Sequence, residues 1–246
     1  MLIHQKMKLA DVIHHDHTLV PIINRFGVHL GFGNLTIQEI CETNNLNCAF
    51  FVIILNAFHD PRYFPKEQLQ SIRLAILVKY LQKAHIYFME DKIPEIASMI
   101  EKMMDECLDN REPYLLIQNF FKEYSVELKK HIQREEERVY PYAIKLEEAF
   151  LSGAYPLDIE ELIQSYPISA YEEEHEDVEE KLFDLKNIII KYLPSPKSDK
   201  LCYQILREIF SLEKELSEHA RIEDLILVPK VETMENALKL KGFKHE

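Results

Sequence analysis

Six residues of this chain carry metal-binding or acid–base chemistry at positions where the pattern asks for leucine. Between Leu201 and Leu227 the spacing predicts a helix with an inward stripe of Leu201, Ile205, Ile209, Leu212, Leu216, His219, Glu223 and Ile226. A second stripe, Ile117, Phe121, Tyr124, Leu128, His131, Glu135, Val139, Tyr142 and Leu146, is interrupted in the same way. A third carries His175 between Tyr171 and Val178, and a fourth carries His85 between Leu81 and Phe88. Burying such groups without partners is strongly unfavourable, so they must be hydrogen-bonded, ion-paired or bound to metal.

The donor set narrows that choice. One seam histidine is usually a hydrogen-bonded core residue, and a lone His-x-x-x-Glu is common on solvated helix faces. Here His85, His131, His175 and His219 recur at intervals of 46, 44 and 44 residues, two of them followed by an in-phase glutamate. Four helices of similar length would bring four imidazoles and two carboxylates to one level. Structural zinc takes four ligands; His85, His131, Glu135, His175, His219 and Glu223 instead suit two metals side by side. The i, i+4 spacing stacks each histidine one turn from its glutamate, so Glu135 and Glu223 can each bridge a metal pair. Imidazole with carboxylate suits non-haem iron, and also manganese or zinc. Two histidines and shared oxygens per metal leave positions open for O2, NO or peroxide.

The elements that must position these residues are helices. Of 246 residues, 47% are hydrophobic, with only 5 glycines and 11 prolines to interrupt them, which favours an all-α fold. The first long helix is expected from near Lys66 through His85, with a kink or restart at Lys92-Ile93-Pro94. The second runs from Pro113 to about Leu151 and the third from Ile168 to before Pro194. The fourth is capped by Ser198 or Asp199 and stopped by Pro229. This is an up-down four-helix bundle over residues 66–230, followed by a charged tail, 231–246. Residues 1–60 form a small helical domain. It has a helix from Leu9 to Phe26 closed by Gly27, a glycine loop at Gly31 and Gly33, and a helix capped by Thr36 with Glu39 completing a capping box. A segment from Cys48 to Phe58 follows, and the connector His59–Pro65 is bounded by prolines.

The formal net charge of −13 argues against nucleic acid or an anionic membrane as partner. Cys41, Cys48, Cys107 and Cys202 stand far apart with no Cys-x-x-Cys, as in a reducing compartment. The N-terminus lacks the apolar core of a signal peptide, and no apolar run approaches a membrane span, so a cytoplasmic protein is expected. The cluster His14, His15 and His17 around Asp16 reads as a solvated helix start or a peripheral metal site, and His59 as a turn residue. Tyr124, Tyr142 and Tyr171 read as seam packing with a hydroxyl partner, or as a second layer around the metals. No phosphate loop, nucleophile elbow or zinc-finger spacing is present.

The array of His85, His131-x-x-x-Glu135, His175 and His219-x-x-x-Glu223 resembles the hemerythrin-like (HHE cation-binding) bundle. The flanking stretches Phe88–Pro94 (FMEDKIP) and Glu135–Pro141 (EEERVYP) are similar to that family as well. Arg25–Gly33 (RFGVHLGFG) and Thr36–Cys41 (TIQEIC) resemble the small domain that precedes the bundle in repair-of-iron-centres proteins. Those proteins have two adjacent cysteines where this chain has Gly31 and Phe32. The resemblance implies two non-haem irons, oxo- or hydroxo-bridged, on the six residues named. It also implies work on NO, reactive oxygen or damaged iron–sulfur centres, with iron–sulfur proteins as partners. A sensor of O2, NO or iron without turnover is the other reading, and a homodimer would give the small domain more surface to bury.

Overall fold

The computed structural model describes residues 1–106, 111–153, 157–169, 171, 178–193 and 199–242. Regular structure among them is helical, apart from one isolated antiparallel bridge between Lys8 and Thr36. The helices are α1 (Leu9–His15), α2 (Val20–Arg25), α3 (Ile37–Thr43), α4 (Cys48–His59), α5 (Lys66–Gln70), α6 (Leu74–Ile86) and α7 (Ile93–Glu106). They continue with α8 (Glu112–Arg134), α9 (Tyr140–Ser152), α10 (Leu157–Ser165), α11 (Val178–Tyr192), α12 (Asp199–Ile222) and α13 (Val228–Gly242). The chain divides into two compact units, Met1–Ala84 and His85–Glu246.

In the first unit the expected helix from Leu9 to Phe26 breaks at Asp16. Its carboxylate accepts the Thr18 N–H at 3.1 Å and the Thr18 hydroxyl at 2.6 Å, and it holds His59 Nδ1 at 2.7 Å. Aspartate competes with helix continuation in this way by bonding nearby backbone. One 3₁₀ turn, His17–Leu19, then leads into α2. The His14–His15–His17 cluster thus spans a helix end, where the His15 ring lies 5.4 Å from that of His59. Thr36 and Glu39 form the expected capping box at the start of α3. Buried Asn56 ties down the N-terminal strand of chain, accepting from Ile3 N and donating to Ile3 O, both at 2.8 Å. The stretch after Lys66 is two pieces, since α5 stops at Gln70 and α6 begins at Leu74.

In the second unit α7 packs on α8 and α12, and α11 packs on the same two helices, which closes a four-helix ring. Three of its long helices each contain one π-helical turn, at Tyr87–Lys92, Glu135–Val139 and Glu223–Leu227. Every one of these turns is followed by a proline as the second residue of the next helix, Pro94, Pro141 or Pro229. A proline lacks the N–H for the α-helical ladder, and its ring collides with the carbonyl four residues back. The wider turn removes the conflict by shifting the register: Ile93 N–H donates to Phe88 O, Tyr140 to Glu135 O and Val228 to Glu223 O, each five residues back. Pro229 therefore does not end the fourth helix. Residues 231–242 of the expected charged tail are instead most of α13, which packs on α9 and has Val231, Met234 and Leu238 buried. Gly153, at φ +70°, takes the left-handed conformation that stops α9.

Candidate metal centre

The π turns fall where the ligand candidates sit. His85 lies in the last turn of α6, two residues before the first π segment. His131 lies in the last turn of α8 and Glu135 opens the second π segment. His219 lies in the last turn of α12 and Glu223 opens the third. All five are buried, the two glutamates to 1% exposure. One donor atom each from His85, Glu135, His219 and Glu223 can be chosen so that all four lie within 4.8 Å of one another. His131 joins them through Nε2, 2.9 Å from Glu135 Oε1. The structure thus brings together five of the six residues expected from the sequence; His175 lies outside the described residues.

The contacts inside the cluster are those of ligand atoms facing one another. His85 Nε2 is 3.1 Å from His219 Nε2 and 3.1 Å from Glu135 Oε2, and His219 Nε2 is 3.4 Å from Glu223 Oε2. Glu136 turns the first of these rings inward, its Oε1 lying 2.7 Å from His85 Nδ1. A carboxylate on the far nitrogen of an imidazole fixes its orientation and raises its basicity toward a metal. Phe88, Leu128, Leu216 and Ala220 wall the cluster into a cavity of about 10 Å³. Among the described residues that is room for about one water-sized sphere.

Two tyrosines lie against the cluster: Tyr171, which the seam pattern marks, and Tyr140, which it does not. Tyr140 is wholly buried; its hydroxyl donates to Glu223 Oε1 at 2.6 Å and lies 3.3 Å from His85 Nε2 and 3.5 Å from His219 Nε2. Its ring stacks on His85, 5.5 Å between centroids and 8° from parallel. Tyr171, read from the sequence as seam packing with a hydroxyl partner or as a second layer, donates to Glu135 Oε1 at 2.7 Å. Tyr142 points elsewhere, bonding Glu235 Oε1 at 2.5 Å.

The electrostatics are those of a cation site. Burial disfavours charge on His85, yet Glu135 and Glu136 push its pKa up to about 9. His131 is raised from its usual value, against the effect of burial, by Glu135. Glu135 is held well below the usual carboxylate range in spite of burial, because His131 and His85 lie against it. Burial, and then the charge on Glu135, push Glu223 up to about 8. Burial, followed by the two carboxylate charges, raises the Tyr140 and Tyr171 phenols. Protons thus stand in the cluster where a cation could replace them. Glu135 Oε2 and Glu223 Oε2 are buried and, among the described residues, face no donor other than the imidazole nitrogens beside them. Uncovered carboxylate oxygens beside imidazole nitrogens are the donor set of a first-row transition metal, and the residues fit one.

The Hemerythrin HHE cation binding domain profile matches residues 81–231. The chain belongs to that family. It is also 19% identical over 225 residues to the iron-sulfur cluster repair protein ScdA of Staphylococcus haemolyticus (strain JCSC1435). That alignment covers 90% of this chain and 96% of the relative. No helix among the described residues is long and apolar enough to cross a membrane.

Proposed function

We propose that this HHE protein holds two non-haem irons on His85, His131, Glu135, His175, His219 and Glu223, and that it works on NO or reactive oxygen or in the repair of iron–sulfur centres. The observation that carries the reading is the buried pair of glutamates, each with one oxygen that among the described residues faces only an imidazole Nε2. Bound iron would supply redox change and reversible coordination of a diatomic ligand or peroxide. The protein's part is to orient and to exclude. Glu136 turns His85 inward, and Glu135 and Glu223 would each offer carboxylate oxygen to the metal. Phe88, Leu128 and Leu216 keep out anything larger than a few atoms. The whole-length similarity to a protein named for iron–sulfur cluster repair supports the repair role, with damaged iron–sulfur proteins as partners.

Metal analysis after anaerobic purification from iron-replete cells tests this reading. About two irons per chain are expected, falling to one or none in His131→Ala, with NO or O2 changing the visible spectrum only of the loaded protein. A reconstituted chain that keeps its helical signal but takes up no iron would leave the seam residues as structure alone.

A further inference from the structure

The two carboxylates of the cluster are held in the same way by residues from different parts of the chain. Tyr140 donates to Glu223 Oε1 at 2.6 Å and Tyr171 donates to Glu135 Oε1 at 2.7 Å. In both glutamates it is Oε2 that, among the described residues, faces only imidazole nitrogen: Glu223 Oε2 lies 3.4 Å from His219 Nε2 and Glu135 Oε2 lies 3.1 Å from His85 Nε2. Packing does not account for the hydroxyls, since phenylalanine would fill nearly the same volume without bringing a buried polar atom that must find a partner. The Tyr140 ring also lies flat on His85, so one side chain braces a carboxylate and an imidazole together.

We propose that Tyr140 and Tyr171 are positioning residues of the metal centre: each hydroxyl clamps one oxygen of one glutamate and so presents the other oxygen to the cation. The proposal rests on the metal reading above and adds a role for two residues outside the six ligands. Groups that orient metal ligands typically change affinity by about 10–100-fold when removed.

The test uses the full chain loaded with Co(II), whose visible spectrum reports ligand geometry. Affinity is measured by competition titration for wild type, Tyr140→Phe, Tyr171→Phe and the control Tyr142→Phe, whose hydroxyl bonds Glu235 instead. Both clamp variants are expected to keep their helical signal, bind Co(II) about 10–100-fold more weakly and show a shifted spectrum, with the control unchanged in both. In a Glu223→Gln background Tyr140→Phe is expected to add nothing, whereas Tyr171→Phe still weakens binding. The two clamps are tested separately, so loss of fold in one variant leaves the other decisive. Clamp variants with wild-type affinity and spectrum, or a Tyr140→Phe loss undiminished in the Glu223→Gln background, overturn the proposal while wild-type binding keeps the metal reading. A wild-type chain that binds no Co(II) overturns both.

Discussion

At the scale of single residues, the metal-free cluster is a set of buried groups whose protons do the work a cation would do. Two carboxylates this close cannot both stay charged unless positive charge lies between them. Glu135 keeps its charge because His85 and His131 keep their protons, and Glu223 escapes the repulsion by holding on to its own. The His85 pKa, raised from 6.5 to about 9, contributes stability that is complete below 6.5 and lost as pH climbs through about 9. Glu223, raised from 4.5 to about 8, stays protonated in the fold while the unfolded chain ionises, so stability falls across that interval. Glu135 acts oppositely, adding stability above its ordinary value of 4.5 that is lost on acidification. The metal-free protein should therefore melt highest near about pH 5 and progressively lower toward about pH 9. With a bound divalent metal the slope should flatten or reverse, because cation binding displaces the same protons. Melting curves at a series of pH values, with and without metal, measure this directly. A metal-free melting temperature that rises from pH 5 to pH 9 would contradict the assignment of charges.

At the scale of the helices, the convergence of the candidate residues was legible because histidine and glutamate kept strict phase with leucine and isoleucine. Five of the six candidates converge, since a 3.6-residue period carries a face reliably through a straight helix. The period misleads past Glu135. In an unbroken α-helix Val139 follows Glu135 on the same face, and Tyr140 turns away. The π turn inserts one residue, so Tyr140 takes the place beside the cluster and Tyr142 swings to Glu235. The signal was present as a proline six residues after Phe88, Glu135 and Glu223, but it reads as a kink or a stop unless the wider turn is considered. The same misreading turns α13 into a tail. Deleting exposed Glu137 restores a four-residue step from Glu135 to Tyr140 and rotates α9 by about 100° relative to α8. Such a variant should keep most of its helical signal yet lose metal binding, whereas Glu137→Ala should bind as wild type. Circular dichroism with a metal titration separates the two outcomes, and a deletion variant that binds metal normally would show that the π turn does not set the register.

At the scale of the whole molecule, the second unit is held at its far end by a buried polar knot as well as by apolar packing. Glu235 of α13 accepts the Tyr142 hydroxyl from α9 and the backbone N–H of Ile168 at 2.8 Å, and α10 packs against both helices. Lys230 approaches buried Glu147 at 3.6 Å. Each half of the knot would be left buried and uncovered without the other, so α13 works as a clasp on the continuation of the helix that carries His131 and Glu135. Val231 and Leu238 are wholly buried and Met234 nearly so. Burial of such side chains is worth about 1.5–3 kcal/mol apiece, an upper estimate because the unfolded chain also hides some surface. Three of them together approach the roughly 5–15 kcal/mol that a domain has in total. Truncation after Lys230, which a free tail would tolerate, should therefore abolish cooperative unfolding in urea or lower its midpoint sharply. Glu235→Ala, which uncovers the Ile168 N–H and the Tyr142 hydroxyl while leaving the apolar face intact, should lower the midpoint by a smaller amount. A truncated chain that unfolds at the wild-type midpoint would mean that α13 adds nothing to the bundle it packs against.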